Sequence, residues 1–141
     1  MSETVQRDHY PHFHPVQTRW QDVDAQGHIA GAMVYVFFDS ALQAYLIERA
    51  ELDPQDGEVV GFVVSSSCDF FASAAFPEAL AVGVRVSRLA GSSVEYAVAL
   101  FKANDSQACA VGRVVQVFVE RATGRPASLP ERLQAALQAL Q

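Results

Sequence analysis

Residues 19–49 read RWQDVDAQGHIAGAMVYVFFDSALQAYLIER, and this stretch decides the fold. It opens on a polar, turn-forming segment, residues 22–28 (DVDAQGH). A long apolar run follows, with Asp39 as its one internal charge before Glu48. Val34, Phe37, Phe38, Ala41, Leu42, Tyr45 and Leu46 recur at steps of three and four, the spacing that lines one face of an α-helix. Ala32, Tyr35, Val36 and Ala44 leave little of the opposite face polar, so the pattern predicts a helix buried nearly all round. The rest of the chain is then its wrapping.

Composition supplies that wrapping. A chain of 141 residues is one domain, long enough to bury a real core. Half of its residues are apolar, and the composition holds no disordered block. A net charge of −6 argues against a nucleic-acid surface, which needs a basic face. Cys68 and Cys109 lack C-x-x-C spacing, which predicts neither a disulfide framework nor a zinc site. With no signal pattern and no uncharged run fit to span a membrane, the expectation is a soluble cytoplasmic protein.

Residues 1–13 are polar and read as a loose terminus, and His9, His12 and His14 have no partner that completes a metal-ligand spacing. Val16, Thr18 and Trp20 alternate against Gln17 and Arg19, predicting a first strand over 14–20. After the helix, Pro54 and Gly57 mark a loop over 51–58. Strands are predicted over 59–71, 80–89, 93–103 and 107–121, the middle two as a hairpin around Gly91. Pro130 starts a short amphipathic helix over 131–140, with Leu133, Ala136, Leu137 and Leu140 on one face. One strand, one long helix and four strands in meander order give an α+β domain over 14–141. A curved antiparallel β-sheet wrapped around one long central helix is the hotdog fold.

The motif RWQDVDAQGHI at residues 19–29 resembles the R-W-x-D-x-D-x-x-G-H-V signature of the 4-hydroxybenzoyl-CoA thioesterase family of hotdog proteins. The likeness continues through Phe37-Phe38-Asp39 and returns at residues 119–126 (VERATGRP). It implies hydrolysis of an acyl-CoA thioester, with the catalytic carboxylate falling on Asp24 and CoA lying between two protomers. The resemblance further implies that Ser67, in the run Ser65-Ser66-Ser67, faces a neighbouring protomer's site. It also implies that Arg88 and Ser92, beside the hairpin turn, lie where relatives contact CoA phosphates. Where relatives carry two asparagines and a nearby tyrosine, this chain has Ala30, Gly31 and Val34, with Tyr35 shifted by one.

The chemistry argues for the same position. Thioester hydrolysis needs a nucleophile or base near the carbonyl and donors for the developing oxyanion. Unpaired N–H groups at a helix start carry positive partial charge, and Gly31 and Ala32 are the candidate donors here. A carboxylate just before such a helix lies close to those donors, and the helix field favours its ionised form. Asp24 is therefore a candidate nucleophile or general base, with His28 as its helper. On residue chemistry alone, turn formation or capping is the commoner reason for an Asp before a helix, and Asp22 competes for either role.

No metal or prosthetic group is called for, since CoA is part of the substrate. A bare sheet edge is a liability, so a homodimer by sheet extension is expected, and the resemblance implies a homotetramer. Two other readings stand beside the hydrolase. The replacement of the asparagines fits a non-catalytic acyl-CoA-binding hotdog protein. A hotdog enoyl-CoA hydratase would pair Asp with His, but its Asn-Pro signature is missing from Ala25-Gln26-Gly27.

Overall fold

The structure is a computed structural model that describes residues 5–141. The apolar run forms helix α1 (Gly31–Ala50). Strands β1 (His12–Gln17), β2 (Val59–Phe70), β3 (Ala79–Ala90), β4 (Ser93–Lys102) and β5 (Ala108–Glu120) build one antiparallel sheet in the order β1-β3-β4-β5-β2. Helix α2 (Glu131–Gln138) closes the chain. This is the hotdog fold.

The period-two residues of β3 and β4 supply the face that receives the helix. Val82, Val84 and Val86 stand beside Val94, Tyr96, Val98 and Leu100, all at 3% exposure or less. Against them lie Val34, Phe37, Phe38, Ala41, Leu42, Tyr45 and Leu46, the residues whose spacing predicted the helix. Phe38 sits flush on β5, where a Cβ added to Gly112 would lie 2.7 Å from its Cε2 and 2.8 Å from the Ser67 carbonyl oxygen. α2 covers the far end of α1, and the Tyr45 hydroxyl donates to the Ala136 carbonyl at 2.6 Å.

The helix is not buried all round. Tyr35, Val36 and Ile47 are 37%, 48% and 47% exposed, because a single sheet covers only one side of a cylinder. Nor do the last four strands form a meander. β3, β4 and β5 do, but β2 crosses to the far edge and pairs with β5, Val60 opposite Val119 and Phe70 opposite Ala110. The connection after β2 runs past the start of α1, where Ile29 N–H donates to Ala74 O at 2.8 Å. That carries the chain back across the helix to β3.

The first strand also begins earlier than its alternation suggested, and it ends at Gln17. Trp20–Asp22 is a 3-10 turn, since the Asp22 carboxylate draws the Arg19 N–H to 2.9 Å and bends the chain. Residues 1–4 of the tract expected to be loose lie outside the described residues. The remainder is fixed to the back of the sheet. Tyr10 covers Gly83 and meets the Phe101 ring edge-on at 5.8 Å. The Arg7 guanidinium donates to the carbonyls of Lys102 (2.7 Å) and Asp105 (2.8 Å) and lies 5.1 Å from the Phe101 ring centre. A polar composition hid this, because the anchor is an arginine. Among the described residues no helix is long and apolar enough to cross a membrane.

Gly112→Ala will destabilise the fold by about 1–3 kcal/mol, since one contact is backbone and cannot swing away. Urea denaturation of the two proteins measures the difference.

Candidate active site

Two aspartates two residues apart have been given different work by their surroundings. Asp22 is fully buried, and Arg19 binds it through its backbone N–H (2.9 Å to Oδ2) and its Nη2 (2.8 Å to Oδ1). Burial pushes the Asp22 carboxyl up, but the hydrogen bonds and charge of Arg19 outweigh it and hold the group below its ordinary value. The Asp22 carbonyl also accepts the Ala30 N–H at 2.9 Å, which ties this clamp to the residue before α1. Asp22 is therefore a structural residue.

Asp24 is exposed, on the loop between that turn and the helix. Its N–H donates to His28 O at 2.8 Å, and the loop closes through Gly27, whose φ of 84° suits glycine. Its Oδ1 accepts two backbone N–H groups, from Gln26 at 2.9 Å and His28 at 3.1 Å. Its Oδ2 has no hydrogen-bond partner among the described residues. The same side chain thus forms the turn with one oxygen and presents the other.

Ala30 precedes α1 with no capping side chain. The Ala30 carbonyl accepts the Met33 and Val34 N–H groups, and the Gly31 and Ala32 N–H groups have no partner among the described residues. A Ser, Asp or Asn before the helix would compete for such donors. The Phe70 ring lies over Gly31, 3.4 Å from where a Cβ would stand.

Asp24, His28 and Gly31 line one open cavity of about 420 Å³. Its remaining wall comes from Ile29 and Val34, from Phe70 to Ala74, and from Leu100, Cys109 and Ala110 across the sheet. Cys109 is buried, its thiol pushed up by that burial, and it donates to the Leu100 carbonyl at 3.3 Å. The residues after β2 and the two sheet positions carried no sequence signal for a cavity; only the unbroken Phe70-Phe71 pair at a strand end hinted at one.

A larger cleft of about 640 Å³ lies between residues 56–59 and 120–130. Its Arg121 is engaged with the Gly57 and Pro54 carbonyls at 2.7 and 2.8 Å, and although the uncapped start of α2 at Pro130 borders it, none of residues 19–29 does. The smaller cavity is the one that gathers Asp24, His28 and Gly31. Among the described residues no cluster of His, Cys, Asp or Glu is arranged to hold a metal ion.

Ser67, Arg88 and Ser92 are not brought to this cavity within one chain. Ser67 is exposed on edge strand β2, opposite Arg113. Arg88 and Ser92 lie at the β3–β4 turn, while the cavity meets β4 at Leu100. Those ends of β4 are roughly 23 Å apart at the rise of a strand.

The sequence profile of the thioesterase-like superfamily matches residues 18–137. The PA5185 protein from Pseudomonas aeruginosa strain PAO1 is 52% identical, with a TM-score of 0.96 over 99% of this chain and 97% of that one. A thioesterase from Thermus thermophilus, solved with coenzyme A and zinc, is 27% identical, with a TM-score of 0.75 over 93% and 94% of the two chains. A 1,4-dihydroxy-2-naphthoyl-CoA thioesterase from Synechocystis, Slr0204, shares the fold at 21% identity, with a TM-score of 0.80 over 89% and 94%. No curated protein matches.

The Asp22–Arg19 clamp has a pH signature. A carboxyl held below its ordinary value of 3.8 contributes stability that is complete above that pH and is lost as pH falls through the depressed value. Asp22→Asn will therefore cost about 1–3 kcal/mol at pH 7, and the deficit will shrink below pH ~4. Urea titrations of both proteins at pH 7 and pH 3 will show it.

Proposed function

The chain belongs to the thioesterase-like superfamily, and from that premise we propose that it hydrolyses an acyl-CoA thioester to the free acid and CoA. The observation that carries this reading is the shared cavity of Asp24 and the uncapped start of α1. A thioester carbonyl seated there would place its oxygen against the Gly31 and Ala32 N–H groups and its carbon towards Asp24 Oδ2. The amides stabilise negative charge as it builds on that oxygen, and the apolar wall strengthens their effect by excluding water.

Asp24 acts in one of two ways. Its Oδ2 attacks the carbonyl carbon, the C–S bond breaks to release CoA thiolate, and water then cleaves the acyl-aspartyl anhydride. Alternatively Oδ2 takes a proton from water, the resulting hydroxide adds to the carbon, and the thiolate leaves and is protonated. Both end in acid and thiol. In either path His28, on the cavity wall, is a donor that steadies water or the leaving sulfur. The reading calls for no cofactor beyond the CoA of the substrate. The motif at residues 19–29 resembles the signature of the 4-hydroxybenzoyl-CoA thioesterase family, which supports a thioesterase reading without fixing the acyl group.

We assign a homodimer as the working form. β2 is an edge strand with Phe62, Val63 and Val64 at 57%, 45% and 61% exposure, and α1 leaves Tyr35, Val36 and Ile47 uncovered. Pairing of β2 with a second copy would satisfy that edge and shade the helix. It would also supply Ser67, Arg88 and Ser92 from the partner to the CoA path, with a tetramer as a higher assembly.

The replacement of two polar residues by Ala30 and Gly31 favours, as a second reading, an acyl-CoA-binding protein without turnover. Asp24→Asn separates the two. Thiol release from acyl-CoA will fall by about 10²–10⁴-fold in kcat/KM while binding persists. A wild-type chain that binds acyl-CoA and releases no thiol would make the second reading correct. Val64→Lys, which charges the free edge, will lower the mass seen by light scattering towards that of one chain.

A further inference from the structure

The cavity also limits the acyl group. Its inner wall is formed by Ile29, Val34, Ala74, Leu100, Cys109 and Ala110, each at 8% exposure or less. The one polar side-chain atom among them, the Cys109 sulfur, already donates its hydrogen to the Leu100 carbonyl. Asp24, His28 and Ser73 are exposed and sit at the mouth. No side chain on the inner wall has a free donor for a buried acyl substituent, and the Cys109 sulfur is only a weak acceptor.

The next layer inward is solid. Helical spacing places Phe38 one turn beyond Val34, and Val98 and Gly112 stand two residues on from Leu100 and Ala110 as paired partners on β4 and β5. Phe38 and Val98 are 1% and 0% exposed. The Phe38 ring rests on Gly112 so closely that a Cβ there would lie 2.7 Å away. This contact lies behind the lining of Val34, Leu100 and Ala110 and bounds how far the cavity can deepen.

We infer that the chain selects apolar acyl groups of no more than about eight carbons, or an unsubstituted aromatic ring, with Phe38 on Gly112 as the stop. Seven residues separate Gly31 from Phe38, about 10 Å along a helix axis, and the phenyl ring leans back over part of it. C–C bonds of about 1.5 Å advance an extended chain by roughly 1.3 Å per carbon, so some eight carbons fill the depth. A para-hydroxyl would be buried against side chains that offer no strong partner, which separates this specificity from that of a 4-hydroxybenzoyl-CoA enzyme. The inference rests on the assignment of this cavity as the thioester site.

The test uses the purified full chain and two parallel series. Thiol release is measured for acetyl, butanoyl, octanoyl, dodecanoyl, hexadecanoyl, benzoyl and 4-hydroxybenzoyl-CoA. Affinity is measured by calorimetry for S-alkyl and S-benzyl CoA thioethers of matching size, which cannot be hydrolysed. The expected result is a maximum at or below eight carbons, a fall of at least about 10²-fold by sixteen, and roughly ten- to a hundredfold preference for benzoyl over 4-hydroxybenzoyl. The thioethers will rank the same way by chain length. Ala110→Val will move the maximum to shorter chains, and Cys109→Ala will move it to longer ones; the wild-type ranking decides the matter even if neither variant folds.

Equal or rising values for twelve and sixteen carbons would overturn the inference, as would thioether affinities that ignore chain length or cannot be measured. Ranked thioether affinities without any thiol release would uphold the acyl limit and remove the hydrolase reading.

Discussion

The packing of α1 against the sheet is the contact on which the rest depends. Phe38, Ala41, Leu42 and Leu46 are excluded from water to within 1%, and they meet the valines of β3 and β4. Full burial of each large side chain is worth roughly 1.5–3 kcal/mol, so this one seam outweighs any ion pair in the molecule. It also fixes where the helix starts. The layer of Phe38, Val98 and Gly112 closes the sandwich, and one turn earlier the layers part around Val34, Leu100 and Ala110. The cavity is the place where the seam stops.

That location explains why a cap is missing. A helix start exposed to solvent gains from a Ser or Asp that occupies its first amides. Ala30 forgoes that gain, and the residues before it make up the loss in another way. Asp22 is bound by Arg19 and holds the Ala30 N–H through its carbonyl, so the chain enters α1 at a fixed angle without any side chain spending the Gly31 and Ala32 donors. The two aspartates divide the labour. One is closed off by a guanidinium; the other keeps an oxygen open.

Much of the fold was legible from periodicity. Residues at steps of three and four between Val34 and Leu46 are the buried face of α1, and the alternating valines of β3 lie against it. Periodicity failed where burial is not periodic. The run VVGFVVSSS in β2 has no alternation because the strand lies at an edge and is exposed along most of its length, so its place in the sheet was invisible. Asp22 and Asp24 could not be told apart by residue type, since the difference lies in the direction taken by the Arg19 side chain. The cavity wall was unreadable for a related reason. It gathers residues from a loop, a helix and two strands that only the closed sheet brings together.

The route of β2 bears on how the molecule is made. Its partner in the sheet lies far along the chain, Val60 opposite Val119, while β3, β4 and β5 join through short local turns. Closing so long a loop costs more entropy than closing a hairpin, so local contacts form first and the outer strand docks last. During synthesis β2 leaves the ribosome well before β5 exists, with both of its edges bare and Phe62, Val63 and Val64 in water. A strand that forms one edge of the finished sheet is thus also an apolar segment left bare in the nascent chain.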